Sequence, residues 1–247
     1  MQKIQGADPK QLSSAVRKLA DEAVEEGADT SNSAISSSTS PWVAAAPPKP
    51  YSNVTDQVDL QGLELLNFDD SLGTVRTLFD AKRPSSLDGG KKEASSKDWV
   101  ESDTDDQLML FIPFQSTLKV HSLQLTSVVA KSTEEEEQDE AGDEEPPVHP
   151  KTIQIYTNRP HILGFEEADD IQPTQSITLE PKEWDAATGT ATLELRFVKF
   201  QNVTSLVIYV VSGEDQDKKV RLDRVRIIGE TGEKRGGKIE KMADGED

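Results

Sequence analysis

The chain has 247 residues, a formal net charge of −19, 34% hydrophobic residues and no cysteine. That charge argues against a nucleic-acid binder, which needs clustered Lys and Arg to neutralise phosphates, and against docking on anionic membranes. The missing cysteines exclude disulfides, thiolate metal sites, cysteine nucleophiles and a CxxC redox centre, and the low apolar content implies that part of the chain is unfolded while its apolar residues concentrate elsewhere.

The first segment reads as a helix. Asp8 fits the N-cap, Pro9 the first helical position, and Gln11 can reach back as in a capping box. Leu12, Val16, Leu19 and Ala23 then form one apolar stripe, and Gly27 ends it. Residues 28–50 are rich in Ser, Ala and Pro, which predicts a disordered linker with Trp42 as a solvated aromatic or a docking anchor inside it. From Tyr51 the composition changes. Leu60, Leu63, Leu65, Leu66 and Phe68 lack clean periodicity and predict a short helix or an irregular entry segment. Residues 81–97 read as an exposed Gly/Ser/Lys-rich loop.

Strands follow. Leu108 to Ile112 is a continuous apolar run, expected to be buried on both sides, and Pro113 marks a strand end, an edge or a bulge. Leu118 and Val120 are out of phase with Leu123 and Leu125, which predicts a β-bulge near His121-Ser122. Ile153/Ile155, Ile177/Leu179 and Leu193/Leu195/Phe197 alternate with polar residues, as half-buried strands do. Val203 to Val211 is apolar and β-branched enough for a central strand. Val220 and Leu222 are out of phase with Val225 and Ile227, which predicts a second bulge or bend. Seven or eight short strands with no second long amphipathic helix make an all-β sandwich or jelly roll.

Between strands, Lys131 to Glu145 carries nine carboxylates against one lysine, a local charge of −8. This predicts a solvated, disordered acidic loop over residues 131–149, either solubilising or in contact with a basic partner. Residues 216–241 reverse the sign, with nine Lys and Arg against five Asp and Glu, and residues 232–247 read as a flexible tail.

No catalytic constellation is visible. His121, His149 and His161 are scattered without metal-ligand spacing, and there is no G-x-S-x-G elbow or phosphate-binding Gly loop. Asp103-Thr104-Asp105 opens like a calcium loop, but Gln107 and Phe114 stand where ligands belong. Ser102, Asp103 and Asp105 are expected to hydrogen-bond the backbone of a turn. The reading is of a non-enzymatic chain with no metal and no cofactor.

Several runs, taken in order, carry a resemblance. They are Glu101-Ser102-Asp103-Thr104-Asp105-Asp106-Gln107-Leu108, Ile112-Pro113-Phe114, Pro150-Lys151-Thr152-Ile153 through Asn158-Arg159-Pro160, and Phe165-Glu166-Glu167-Ala168 leading to Pro173-Thr174-Gln175. The most specific is Arg196-Phe197-Val198-Lys199-Phe200-Gln201-Asn202-Val203, with Ile227-Ile228-Gly229 closing the core. Over roughly residues 51–231 the chain resembles the PITH family. The resemblance implies a jelly-roll β-sandwich of the galactose-binding-like kind. It also implies a protein-interaction adaptor that docks thioredoxin-like proteins on the regulatory particle of the 26S proteasome. Ile4-Gln5-Gly6-Ala7-Asp8 through Leu19 resembles the last helix of a thioredoxin domain, so residues 1–27 are expected to be a remnant of one, from a truncated gene product or from a form that kept only the adaptor.

If the chain is such an adaptor, it is expected to be a monomer in the cytoplasm, with the nucleus as a second compartment. Candidate partner-binding residues are Lys199, Gln201 and Asn202, polar and near a strand end, Arg159, Pro160 and Gln175 at loop positions, and Lys234, Arg235 and Lys238 of the tail. As a strand, residues 196–202 would place Phe197 on one face with Val198 and Phe200 on the other. Two alternatives remain. A carbohydrate or small-ligand module would use Trp99 or Trp184 as an exposed platform, and a thioredoxin-like oxidoreductase would need a longer chain to supply the cysteines.

Overall fold

The computed structural model describes residues 41–88, 97–129, 145–216 and 218–232. The N-terminal helix, the linker up to residue 40, most of the acidic run and Lys234, Arg235 and Lys238 lie outside the described residues.

Ten strands make up the described fold: β1 (Ser52–Asn53), β2 (Glu64–Leu66), β3 (Val100–Glu101), β4 (Leu108–Thr126), β5 (Pro150–Thr157), β6 (Gln175–Thr178), β7 (Thr190–Glu194), β8 (Val203–Gly213), β9 (Arg221–Leu222) and β10 (Arg224–Thr231). One short helix among the described residues, α1 (Phe165–Asp170), follows β5. All ladders between these strands are antiparallel.

The 19-residue β4 organises the sandwich. Its first half pairs with β2 and β8, and its second half with β10 and β7. The register breaks between Pro113 and Leu118, where proline has no N–H to give to a ladder. One long strand thus passes from a layer ordered β2-β4-β8-β5-β6 into a second ordered β1-β10-β4-β7. Strands that change sheets in this way make the corners of a sandwich. The result is the expected jelly-roll β-sandwich.

The phase slips in the sequence have structural causes. Ile228 faces Ser122 and Gly229 faces Val120, so His121 is the extra residue of a β-bulge. The bulge lets Leu118, Val120, Leu123 and Leu125 all enter one core. Only glycine fits at 229, because a Cβ there would lie 2.1 Å from the Lys119 carbonyl oxygen. Asp223, between β9 and β10, does the same for Val220, Leu222, Val225 and Ile227.

Strand β8 is central, with Leu206, Ile208 and Val210 in the main core. On its other face Val207 and Tyr209 join Met109, Phe111, Tyr156, Leu163 and Ala168 in a second cluster covered by α1. The continuous apolar run at the start of β4 is therefore buried on both sides. Residues 60–68, expected as helix or irregular chain, instead supply β2, which pairs with β4.

The outer face of the second layer departs from the alternation. Arg224 and Arg226 occupy the polar positions of β10, yet both side chains are buried. Arg226 donates from Nε to the Trp42 carbonyl (2.6 Å), from Nη1 to those of Leu78 (3.2 Å) and Val225 (2.9 Å), and from Nη2 to that of Asp80. Arg224 donates from Nε to the Lys82 carbonyl (3.0 Å), from Nη1 to the Asp98 carbonyl (2.7 Å) and from Nη2 to the Asp98 carboxylate (2.6 Å). Burial, followed by the like charge of Arg224, pushes the Arg226 guanidinium down to about 10, so it stays charged at neutral pH.

These arginines correct two expectations. Residues 41–50, the end of the predicted linker, run along the sandwich. Trp42 N–H donates to the Ala81 carbonyl, its ring lies 6.0 Å from the Arg226 guanidinium, and Gln124 Nε2 donates to the Ala45 carbonyl. Residues 81–88, the start of the predicted loop, bury Pro84 and form a 3-10 turn over Ser85–Asp88. Composition alone cannot reveal that two buried guanidinium groups need carbonyls, and that these segments supply them.

Candidate functional site

At one end of the sandwich β5 runs into Asn158-Arg159-Pro160, the chain enters β6 through Thr174-Gln175, and β7 connects to β8 through residues 195–202. The β7–β8 connection is a 3-10 turn over Phe197–Phe200, not a strand continuation. With three residues per turn, Phe197 and Phe200 lie on one side. Phe200 enters the core, Phe197 is half-buried, and Val198 and Lys199 project outward. The face assignment expected for a strand is thereby corrected. Val198 is 88% exposed, and apart from Leu60 it is the only exposed large hydrophobic residue among the described ones.

A web of polar contacts shapes this end. Asn158 sits in the left-handed region at φ 58°, which asparagine tolerates. Its Oδ1 accepts from the Thr204 N–H (2.8 Å) and its Nδ2 donates to the Asn202 carbonyl (3.0 Å). Gln175 bridges the edges of the two layers. Its Oε1 accepts from the Arg196 N–H (2.8 Å) and its Nε2 donates to the Glu194 carbonyl (2.9 Å), as a backbone amide would. Lys199 Nζ donates to the Thr174 carbonyl (3.0 Å), Gln201 Nε2 to the Phe197 carbonyl (2.7 Å), and Ser205 Oγ to the Arg159 carbonyl (2.6 Å).

The structure therefore brings Arg159, Pro160, Gln175, Lys199, Gln201 and Asn202 to one end. Gln175 and Gln201 spend their amides on the fold itself. Pro160, Lys199 and Asn202 are exposed and Arg159 is half-buried.

Sequence reasoning missed three components. The bulged His121 stacks on Tyr51 (ring centroids 4.1 Å), and Tyr51 meets Phe197 edge-on at 5.5 Å. Val198 read as a strand residue. Arg196 stands in the sequence only as one member of the run. The one usable signal was the spacing of Phe197 and Phe200, three apart, which fits a 3-10 turn better than a strand.

A second region lies between the ends of β4 and β5 and the loop after β6. A pocket of about 320 Å³ is lined in part by Ser127, His149, Pro181, Trp184 and Gly189. His149 stacks on Trp184 (4.5 Å, 14°) and its Nδ1 lies 3.0 Å from Ser127 Oγ. Burial pushes the imidazole down to about 4, so it is neutral at pH 7. The pair resembles a nucleophile and its base, with Ser127 fully buried at the pocket wall.

The other candidate features are also spoken for. Trp184 is buried, and Trp99 donates from Nε1 to Glu101 (2.6 Å) with the Arg221 guanidinium 3.9 Å above its ring, so neither is the free platform a sugar site would need. Asp105 Oδ1 accepts from the Gln107 N–H, the backbone role expected of that turn, whereas Ser102 Oγ reaches across to the Val220 N–H. Among the described residues no group of three or more His, Asp and Glu could hold a metal, and no helix is long and apolar enough to cross a membrane.

Comparison with known proteins adds the family. The model of the PITH domain matches residues 44–244. The chain is 31% identical over 238 residues to thioredoxin-like protein 1 of Schizosaccharomyces pombe, covering 96% of this chain and 68% of that one. It is 27% identical over 177 residues to a PITH domain-containing protein of Drosophila melanogaster, covering 72% and 67%. Among solved structures it is similar to a fucolectin from striped bass serum (TM-score 0.45, 13% identity, 74% of this chain and 51% of that one). It is also similar to a family 32 carbohydrate-binding module of Clostridium perfringens NanJ in complex with galactose (TM-score 0.41, 6% identity, 72% and 98%).

Proposed function

The chain belongs to the PITH domain family, and from that membership we propose that it is a non-catalytic adaptor that docks on the regulatory particle of the 26S proteasome. The observation that carries the reading is the extent of the family match, residues 44–244, which takes in every strand of the sandwich and the whole Asn158–Asn202 end. An adaptor needs a rigid frame that holds a few side chains out to solvent. Here β5, β7 and β8 form the frame, and the Phe197–Phe200 turn presents Val198 and Lys199. The adaptor works as a monomer in the cytoplasm and the nucleus.

The test is binding of the full-length chain to purified 26S proteasome by co-sedimentation, with purified 20S core particle as the comparison. Saturable binding to the 26S particle and none to the core is the expected result. Failure of the folded chain to bind would overturn the reading.

A further inference from the structure

At the Val198 end three cations make no ion pair among the described residues. Asp and Glu outnumber Lys and Arg by 46 to 27, so carboxylates are in excess. Lys119, Lys182, Lys218, Lys219, Arg221 and Arg224 each pair with one. Arg159, Arg196 and Lys199 pair with none among the described residues, although all three belong to the same hydrogen-bonded web. Arg159 goes further: its Nε is buried and has no hydrogen-bond partner among the described residues. A buried charged donor left open is costly, and a native structure that keeps one invites a functional explanation.

The same end carries an apolar tip. Val198 stands 88% exposed on the turn, with Phe197 behind it backed by Tyr51 and His121. An aliphatic anchor on a rigid aromatic base, with charges at its rim, has the anatomy of an interface centre. The charges also select the partner. In a chain of net charge −19, a cluster of unpaired cations attracts an acidic surface, while the rest of the molecule repels one.

Building on the docking proposed above, we infer that this end seats an acidic surface of the regulatory particle, with Val198 entering an apolar notch and Arg159, Arg196 and Lys199 pairing with carboxylates around it.

The test uses the full-length chain and purified 26S proteasome, comparing wild type with Val198→Asp, with the Arg196→Glu/Lys199→Glu double variant and with Lys182→Glu. Lys182 lies beyond the far end of β6, so its variant shows what added negative charge does away from this end. Melting temperatures report folding, and the three substituted residues at this end are exposed. Val198→Asp and the double variant are each expected to weaken binding at least about tenfold, with Lys182→Glu within about twofold of wild type. Wild-type binding should also weaken from low to physiological salt, and the double variant should flatten that dependence. Wild-type binding that both folded variants retain would overturn this inference and leave the docking intact. Absence of wild-type binding would overturn both.

Discussion

Replacing Arg226 by lysine tests how the second layer is closed. The guanidinium donates to four carbonyls, on Trp42, Leu78, Asp80 and Val225, that approach from different directions. A planar fork can meet them at once, whereas a lysine ammonium acts as a compact point donor. We expect lysine to keep one or two of the four. Each lost charge-assisted bond is worth about 1.5–3 kcal/mol, and the abandoned carbonyls are partly rehydrated. The net loss is then about 3–5 kcal/mol, in the range for breaking a buried ionic group's contacts. With a slope of about 2 kcal/mol/M in urea, the unfolding midpoint falls by about 1.5–2.5 M. The assay is urea unfolding of the full-length chain, followed by tryptophan fluorescence. Limited trypsin digestion should show faster native-state cleavage after Lys82, which lies on the segment whose carbonyls the two arginines hold. A loss under about 1 kcal/mol with unchanged cleavage would refute the idea that this side chain ties the segments down.

Three other outcomes follow from the same structure. His149 has a folded pKa near 4 against 6.5 when free, so the unfolded chain binds the extra proton between those values and stability falls as pH drops through that window. Discounted for partial exposure, this amounts to about 2 kcal/mol, and urea titrations at pH 6.5 and pH 4 (about these values) should show it in wild type but not in His149→Phe. Gly229→Ala places a methyl against the Lys119 carbonyl and should cost about 2–4 kcal/mol by urea unfolding; a neutral result would show that the bulge can shift. Burial, helped by Asp169, pushes the Tyr209 phenol up to about 12, so its ionisation in an alkaline absorbance titration should coincide with unfolding.

Much of the sandwich was legible because apolar phase is a strong signal. The change of phase between Val120 and Leu123 located the bulge at His121, and the β-branched run at Val203–Val211 located the central strand. What period-2 patterning cannot reveal is what covers a face. Arg224 and Arg226 alternate with Val225 and Ile227 as solvent-facing residues would, and only the tertiary arrangement shows them buried under Trp42 and the segments at 78–83 and Asp98. The same limit hid the centre of the candidate site. Lys199 and Asn202 stood out as polar residues near a strand end, and Arg159 as a loop residue. Val198 did not, because its exposure depends on a 3-10 turn that replaces the expected strand.

The two findings that sequence missed are connected through Tyr51. The strap held by Trp42 and Ala45 leads to Tyr51, whose ring fills the space between the bulged His121 and Phe197. Each interaction has its own cause: buried guanidinium groups demand carbonyls, a one-residue bulge re-aims His121, and a 3-10 turn sets Phe197 three residues from its core anchor Phe200. Together they give Val198 a rigid footing although it makes little contact itself. Rigidity matters because an exposed side chain that is already ordered loses little further entropy when it binds. Arg226 of the second layer is thus linked to the surface at the end of the sandwich through residues 42–51 and not through direct contact.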